Sequence, residues 1–400
     1  MKSPDGRERL PELDLFRAFA ILGVIHVHAT SYAAGVQAVE SPYYYFFNWV
    51  NIFFKFGTPC FIFLSSFVLF YNYFGRPVNG RLISRFYSKR LLYIVIPYLV
   101  ASVCYYIVSQ AVNGNLGQPA GWHLAKLGRG LATGTAYTHL YFVFINVQFY
   151  LLFPLLLLLF RRWPKLVLWA LPLGLAIEWA FALWNKYDLN LKDKASYAPT
   201  YMSYYMLGLV LAVYFDSFKE WLNRDLRSQP RFRKLAIAGI WLGWFAVAMI
   251  HVQLYHNGRA YGKWVGTLWY ELLWNAHSLL SVFVLFHAAY WVYRKASPAV
   301  VAVLARIGAL SFAIYLLHPV FLLVYRRFRY TIPIESLTYA AWIWFGAPLC
   351  LLLAWFTAAS VYRWVPGSSF LLGGKPASPA KRAGLPAGAK GGEASGKAAG

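Results

Sequence analysis

Long apolar runs, each bounded by short polar or basic clusters, recur along most of the chain. Ten of them approach the ~20 mostly apolar residues that cross a bilayer. They lie at about 13–33, 46–73, 91–110, 139–160, 165–185, 200–215, 234–254, 266–291, 301–325 and 338–362. The run at 200–215 is short for a span. Alternation at period two, which marks membrane strands, is absent. Backbone groups in lipid must bond within their own segment, so the runs predict helices. The expected fold is all-α, a polytopic membrane protein with about ten transmembrane helices. These form one membrane domain over residues 1–365, without an internal repeat. From Pro366 the pattern stops. The stretch GGKPASPAKRAGLPAGAKGGEASGKAAG has too few large apolar residues to bury, which predicts a disordered cytoplasmic tail over 366–400.

Composition sharpens this. Hydrophobic residues make up 60% of the 400, and charged residues only 13%, about half the share in a soluble domain. The net charge of +24 would suggest nucleic acid in a soluble protein, but no reader motif accompanies it. With both termini inside, the inner segments carry about twice as many Lys and Arg as the outer loops. The first outer loop, 34–45, carries none. The charge therefore predicts topology and contact with anionic membrane lipid: a multi-pass plasma-membrane protein with both termini cytoplasmic. Cys60, Cys104 and Cys350 all fall inside spans, with no disulfide framework and no metal-ligand spacing. Lys2, Arg7 and Arg9 precede an apolar run, as in a signal peptide. Asp14, Arg17, His26 and His28 in or beside that run argue instead for a retained first helix.

Ionisable residues inside spans are costly and are functional candidates by default. The first helix has the densest set. At 100° per residue, Arg17 and His28, eleven positions apart, fall within ~20° of one face and ~16 Å apart along the axis. Asp14 lies within ~60° of that face, whereas His26 points to the opposite side. Ser311, Tyr315 and His318 make one stripe on the ninth run. Tyr141 and Gln148 share a face of the fourth, with His139 at its outer end. These five stripe residues are candidates to line a substrate path, with interhelical hydrogen bonding as the plainer alternative. Glu271, Asn275 and Ser278 share a face of the eighth, and Glu178 in the fifth has no obvious partner. Arg85, Lys89 and Arg90 form a basic cluster before the third span. They are either positive-inside charge or a seat for a phosphorylated ligand. Elbow, zinc-protease, Walker and dinucleotide motifs are all absent from the sequence.

At these residues the sequence resembles the acyltransferase-3 family, integral membrane acyltransferases of bacterial surface glycans. ELDLFRAFAILGVIHVHATSY is similar to the family's opening, with Arg17 and His28 at its Arg and His. TPCFIFLSSFVLF, RFYSKRLLYIVIPY, HLYFVFINVQFYLLFPLL and GALSFAIYLLHPVFL follow in the family's order. Ser66 stands where the family usually has Gly, and Tyr141 where it often has Trp. The resemblance implies an O-acetyltransferase in stand-alone membrane form, without metal. Its donor would be acetyl-CoA or another acyl-CoA from the cytoplasm. Its acceptor would be a cell-envelope polysaccharide or a lipid-linked precursor, with glycan-synthesis proteins as candidate partners. His28 would be the base. Arg17 and Asp14 would support it, and Arg85, Lys89 and Arg90 would hold the nucleotide phosphates. A transporter or flippase of a polar or lipid-linked substrate is the competing reading, since buried polar stripes also serve transport paths. An accessory subunit of a glycan synthase, without chemistry of its own, is a third.

Overall fold

Helix starts and stops follow local chemistry. The computed structural model describes residues 10–223 and 230–376. The charges Lys2, Arg7, Arg9, Arg224 and Arg227, and the predicted tail from 377 on, lie outside them. In chain order the helices are α1 Glu12–Tyr32, α2 Tyr44–Phe53, α3 Gly57–Tyr73, α4 Gly80–Arg90, α5 Ile96–Val112, α6 Ala120–Thr133, α7 Tyr141–Arg162, α8 Ala170–Trp184, α9 Met202–Val213, α10 Phe215–Asn223, α11 Arg231–Tyr261, α12 Thr267–Lys295, α13 Pro298–Ala309, α14 Ser311–Arg326, α15 Leu337–Trp364 and α16 Ser369–Leu372. Glu12 and Asp14 in the first turn of α1 complement its dipole. Asn79 caps α4 by accepting from the Leu82 amide at 2.9 Å. Ser297 caps α13, with Pro298 at the first position. Left-handed Gly134 and Gly262 close α6 and α11.

The structure is a helical membrane protein. Among the described residues eight helical runs are long and apolar enough to cross a bilayer. The pair α13 and α14, bent by 77°, makes a ninth. The short predicted span at 200–215 is α9 with the 3-10 turn before it, Ala198–Val213. A second 3-10 turn, Lys194–Ser196, leads into it with a break at Tyr197, and Gln148 makes this break tolerable. Gln148 accepts from the Ala198 amide at 3.0 Å and donates to the Ser196 carbonyl at 2.8 Å, so that backbone is satisfied without water. The ninth predicted run is not one continuous helix, and Pro319 lies inside α14. It breaks at Leu310, between α13 and α14.

Helix α1 is the centre, packed by α2, α3, α12, α13, α14 and α15. It meets α13 where Gly308 lies on the Asp14 carbonyl, so closely that a methyl group there would overlap the backbone. Ser66 donates to the Tyr205 carbonyl at 2.5 Å, beside Gly208, which packs on the Phe63 carbonyl. Small residues thus let α3 and α9 approach closely. Leu151, Leu155, Leu352 and Phe356 on outer faces are exposed, as suits contact with lipid. The helical body continues past the change of composition at Pro366. Helix α16 folds back on α5 and α14, and Tyr362 Oη donates to the Leu372 and Gly373 carbonyls at 2.8 and 3.0 Å.

Candidate active site

The central helix carries its ionisable stripe between two cavities. Successive spans alternate in direction, so the start of α1, the end of α3 and the start of α4 share one face, called here the N-terminal face. The first cavity, about 220 Å³, is lined by Arg17, Ser65, Arg90, Asn146, Tyr150, Ser311 and Tyr315, with Phe61, Phe142 and other apolar side chains. It shares Arg90, Ile94 and Phe312 with a wider mouth of about 400 Å³. That mouth adds Lys89, Tyr93, Tyr362, Leu372 and Gly374. The other cavity, about 310 Å³, lies toward the opposite face. His28, Lys55, Thr58, Tyr141, Lys194, Tyr201, His251, Glu271 and Trp274 are among its lining residues.

The partition between them is thin. Thr58 and Tyr141 hydroxyls meet at 3.0 Å on the second cavity's side. One turn along α3 and one residue along α7, Phe61 and Phe142 pack at 5.8 Å on the first cavity's side. Arg17 thus lines one cavity and His28 the other, from the same helix.

Arg17 Nη1 donates to Asp14 Oδ1 at 2.9 Å, which holds the guanidinium at the cavity wall. The His28 ring lies 5.2 Å from that of His318, whose ring lies 5.8 Å from that of His139. His318 and His139 are fully buried and line none of these three cavities, whereas His28 lines the second. No group of three His, Cys, Asp or Glu among the described residues is placed to hold a metal. The backbone carbonyl of His28 accepts from Ser31 Oγ at 3.0 Å and from Arg326 Nη2, which also reaches Ser31 Oγ at 3.2 Å. His26 lies elsewhere. Its Nδ1 is 2.7 Å from the Leu22 carbonyl, and its ring stacks on Phe54.

The other candidates divide. Arg90 lies at the first cavity, its guanidinium 4.9 Å from the Tyr150 ring centroid. Lys89 lines only the mouth, and exposed Arg85 lines none of the three cavities. Ser311 and Tyr315 line the first cavity, with the Tyr315 hydroxyl donating to the His139 carbonyl. Tyr141 lines the second, and Gln148 lines neither. Glu178 does have partners: it accepts from the Ser203 amide at 3.0 Å and from Asn275 at 2.7 Å. Sequence reasoning missed Lys55 and Arg326. Lys55 had a signal, as a lone basic residue inside the apolar run 46–73. Arg326 had none, since it looks like its loop neighbours Arg327 and Arg329.

The family model of the acyltransferase-3 group, described as an acyltransferase domain, matches residues 10–359, nearly the whole helical body. The chain belongs to the acyltransferase-3 family. No curated protein and no solved structure matches it. In this membrane acyltransferase the family's span covers every cavity-lining residue named above except Tyr362, Leu372 and Gly374. Those three close the mouth from outside it.

Proposed function

We propose that this membrane acyltransferase is an O-acetyltransferase of the plasma membrane, with both termini cytoplasmic. It moves an acyl group from cytoplasmic acyl-CoA to a hydroxyl of a cell-surface glycan or its lipid-linked precursor. The observation that carries the reading is the pair of cavities toward opposite faces, back to back, with Arg17 in one and His28 in the other. A donor and an acceptor kept on different sides of a membrane need such an arrangement. Arg90 at the first cavity and Lys89 at its mouth are placed for the nucleotide phosphates. Arg17, steadied by Asp14, stands further along the same wall. Ser311 and Tyr315 line the path of the donor arm, and Tyr141 faces the acceptor side. Gln148 acts on the entry to α9, and Arg85 is left with the topological role.

In the reaction the acceptor hydroxyl attacks the thioester carbonyl while neutral His28 takes its proton. The C–O bond forms, the C–S bond breaks, and the imidazolium returns the proton to the departing thiolate. For this the thioester arm of the donor passes between the Thr58–Tyr141 and Phe61–Phe142 contacts to reach His28, a narrower passage than a whole solute needs. The deciding experiment supplies labelled acetyl-CoA to purified protein in lipid discs, with envelope glycan as acceptor. Label should appear as alkali-labile ester on the glycan. Movement of an unmodified glycan or lipid-linked sugar without ester formation would establish the flippase reading instead.

A further inference from the structure

Among the described residues one lysine facing the second cavity, Lys55, has no counter-charge. Lys55 occupies the break between α2 and α3, part-way along the apolar span Tyr44–Tyr73. It is removed from both ends of that span, so the positive-inside rule gives no reason for it. Its ammonium stands 4.3 Å from the centroid of the Tyr255 ring. Among the described residues it has no hydrogen bond or ion pair through Nζ.

The surrounding charges do not neutralise it. Glu271, the carboxylate of this cavity, is taken by Lys194 at 2.6 Å. Arg259 lies over the same Tyr255 ring at 5.0 Å and is bound to the amide oxygens of Asn48 and Asn51. Lys55, Lys194 and Arg259 therefore stand against one carboxylate. A lysine held inside a span without an anion is costly and is a functional candidate by default, and an anionic ligand would supply the missing charge. Aromatic rings beside it, Tyr201, Tyr270 and Trp274, offer flat apolar faces for a sugar ring.

We propose that the cavity shared by His28 and Lys55 takes an acceptor bearing an anionic group, a carboxylate or a phosphate, near the hydroxyl to be acylated. Lys55 is its counter-ion. That the occupant is an acyl acceptor rests on the acyl-transfer reading. That it is anionic rests on Lys55.

The test therefore reads binding apart from turnover. Purified protein in lipid discs is titrated calorimetrically with two matched pairs: trigalacturonate against its methyl ester, and maltotriose phosphate against maltotriose. The charged member of at least one pair should bind tenfold tighter or more, and the pair that discriminates tells carboxylate from phosphate. Lys55→Gln should erase the preference, and Lys55→Arg should keep part of it. Equal affinity within both pairs overturns the proposal in the wild-type protein alone, whether or not a variant folds. An undiminished preference in well-dispersed Lys55→Gln protein also overturns it. Charge preference without acyl-CoA turnover would sink the acyl-transfer reading and leave the anion site standing. Acyl transfer with no charge preference would do the reverse.

Discussion

Two histidines, two residues apart, carry the sharpest contrast. His28 reaches a cavity, while His26 is bonded to its own helix and stacked on Phe54. If His28 is the base, His28→Ala should lower ester formation by ~10²–10⁴-fold, the usual worth of a general base. Protein level in the membrane should not change. His28→Gln cannot take a proton and should fall equally far. His26→Ala should keep most activity. Label incorporation normalised to membrane protein decides it, and activity that survives His28→Ala but not His26→Ala would move the base. The helix-face geometry needed only the sequence, because the period of a helix fixes which residues share a side. That Arg326 comes from α14 to the His28 carbonyl depends on a contact between residues almost three hundred positions apart, which no local pattern encodes.

At the scale of elements, α4 sorts its basic residues by side. Arg90 turns to the cavity, and Arg85 does not. Arg90→Gln should raise the KM for acyl-CoA by ~10–100-fold, the loss of one charge-assisted hydrogen bond of ~1.5–3 kcal/mol. Arg85→Gln should leave KM within about twofold. Equal effects of the two would place the donor elsewhere. The helix crossings allow a different measurement. Gly308→Ala sets a methyl group against the Asp14 backbone and should cost ~1–3 kcal/mol or more. Gln148→Ala leaves the Ala198 amide and Ser196 carbonyl unpaired and should cost ~1–3 kcal/mol. Both should appear as lowered melting temperatures in detergent, with kcat changed less than for His28→Ala. Unchanged melting in either variant would show that the contact is dispensable. In the sequence, Gln148 shares a helix face with Tyr141 and is, like it, a candidate to line a substrate path. The structure separates them because the segment entering α9 needs the Gln148 amide.

For the whole molecule, the orientation is testable from outside. Reporter fusions at 38, 120, 190, 260 and 330 should read outside the cytoplasm, and fusions at 80, 225 and 370 inside it. The opposite reading at 225, in the most basic loop, would invert the donor and acceptor sides. The C-terminal region divides in the same way. A stop after Pro376 should leave insertion and activity intact, because the residues beyond hold one large apolar side chain, Leu385, too little to dock. A stop after Val365 removes Leu372 and Gly374 from the cavity mouth, where Tyr362 otherwise holds the chain. It should weaken acyl-CoA affinity at normal membrane level, and an unaltered affinity would show that the mouth does not hold the donor.

The sequence by itself determined that the chain is a bundle of membrane helices, how many runs approach the length of a span, and which face of α1 carries Arg17 and His28. It also carried the ordered blocks that resemble the family. All of these are properties of hydropathy, helical period and local order, so a single chain displays them. What only the tertiary structure decided is where those faces meet. It divided one polar stripe between two cavities, put Arg90 at the first and left Arg85 out, and turned Gln148 into a backbone clamp. It also bent the ninth run at Leu310 and left Lys55 without an anion among the described residues. Each outcome depends on close packing between helices distant in sequence. Polar groups there must find partners across the bundle, because lipid supplies none.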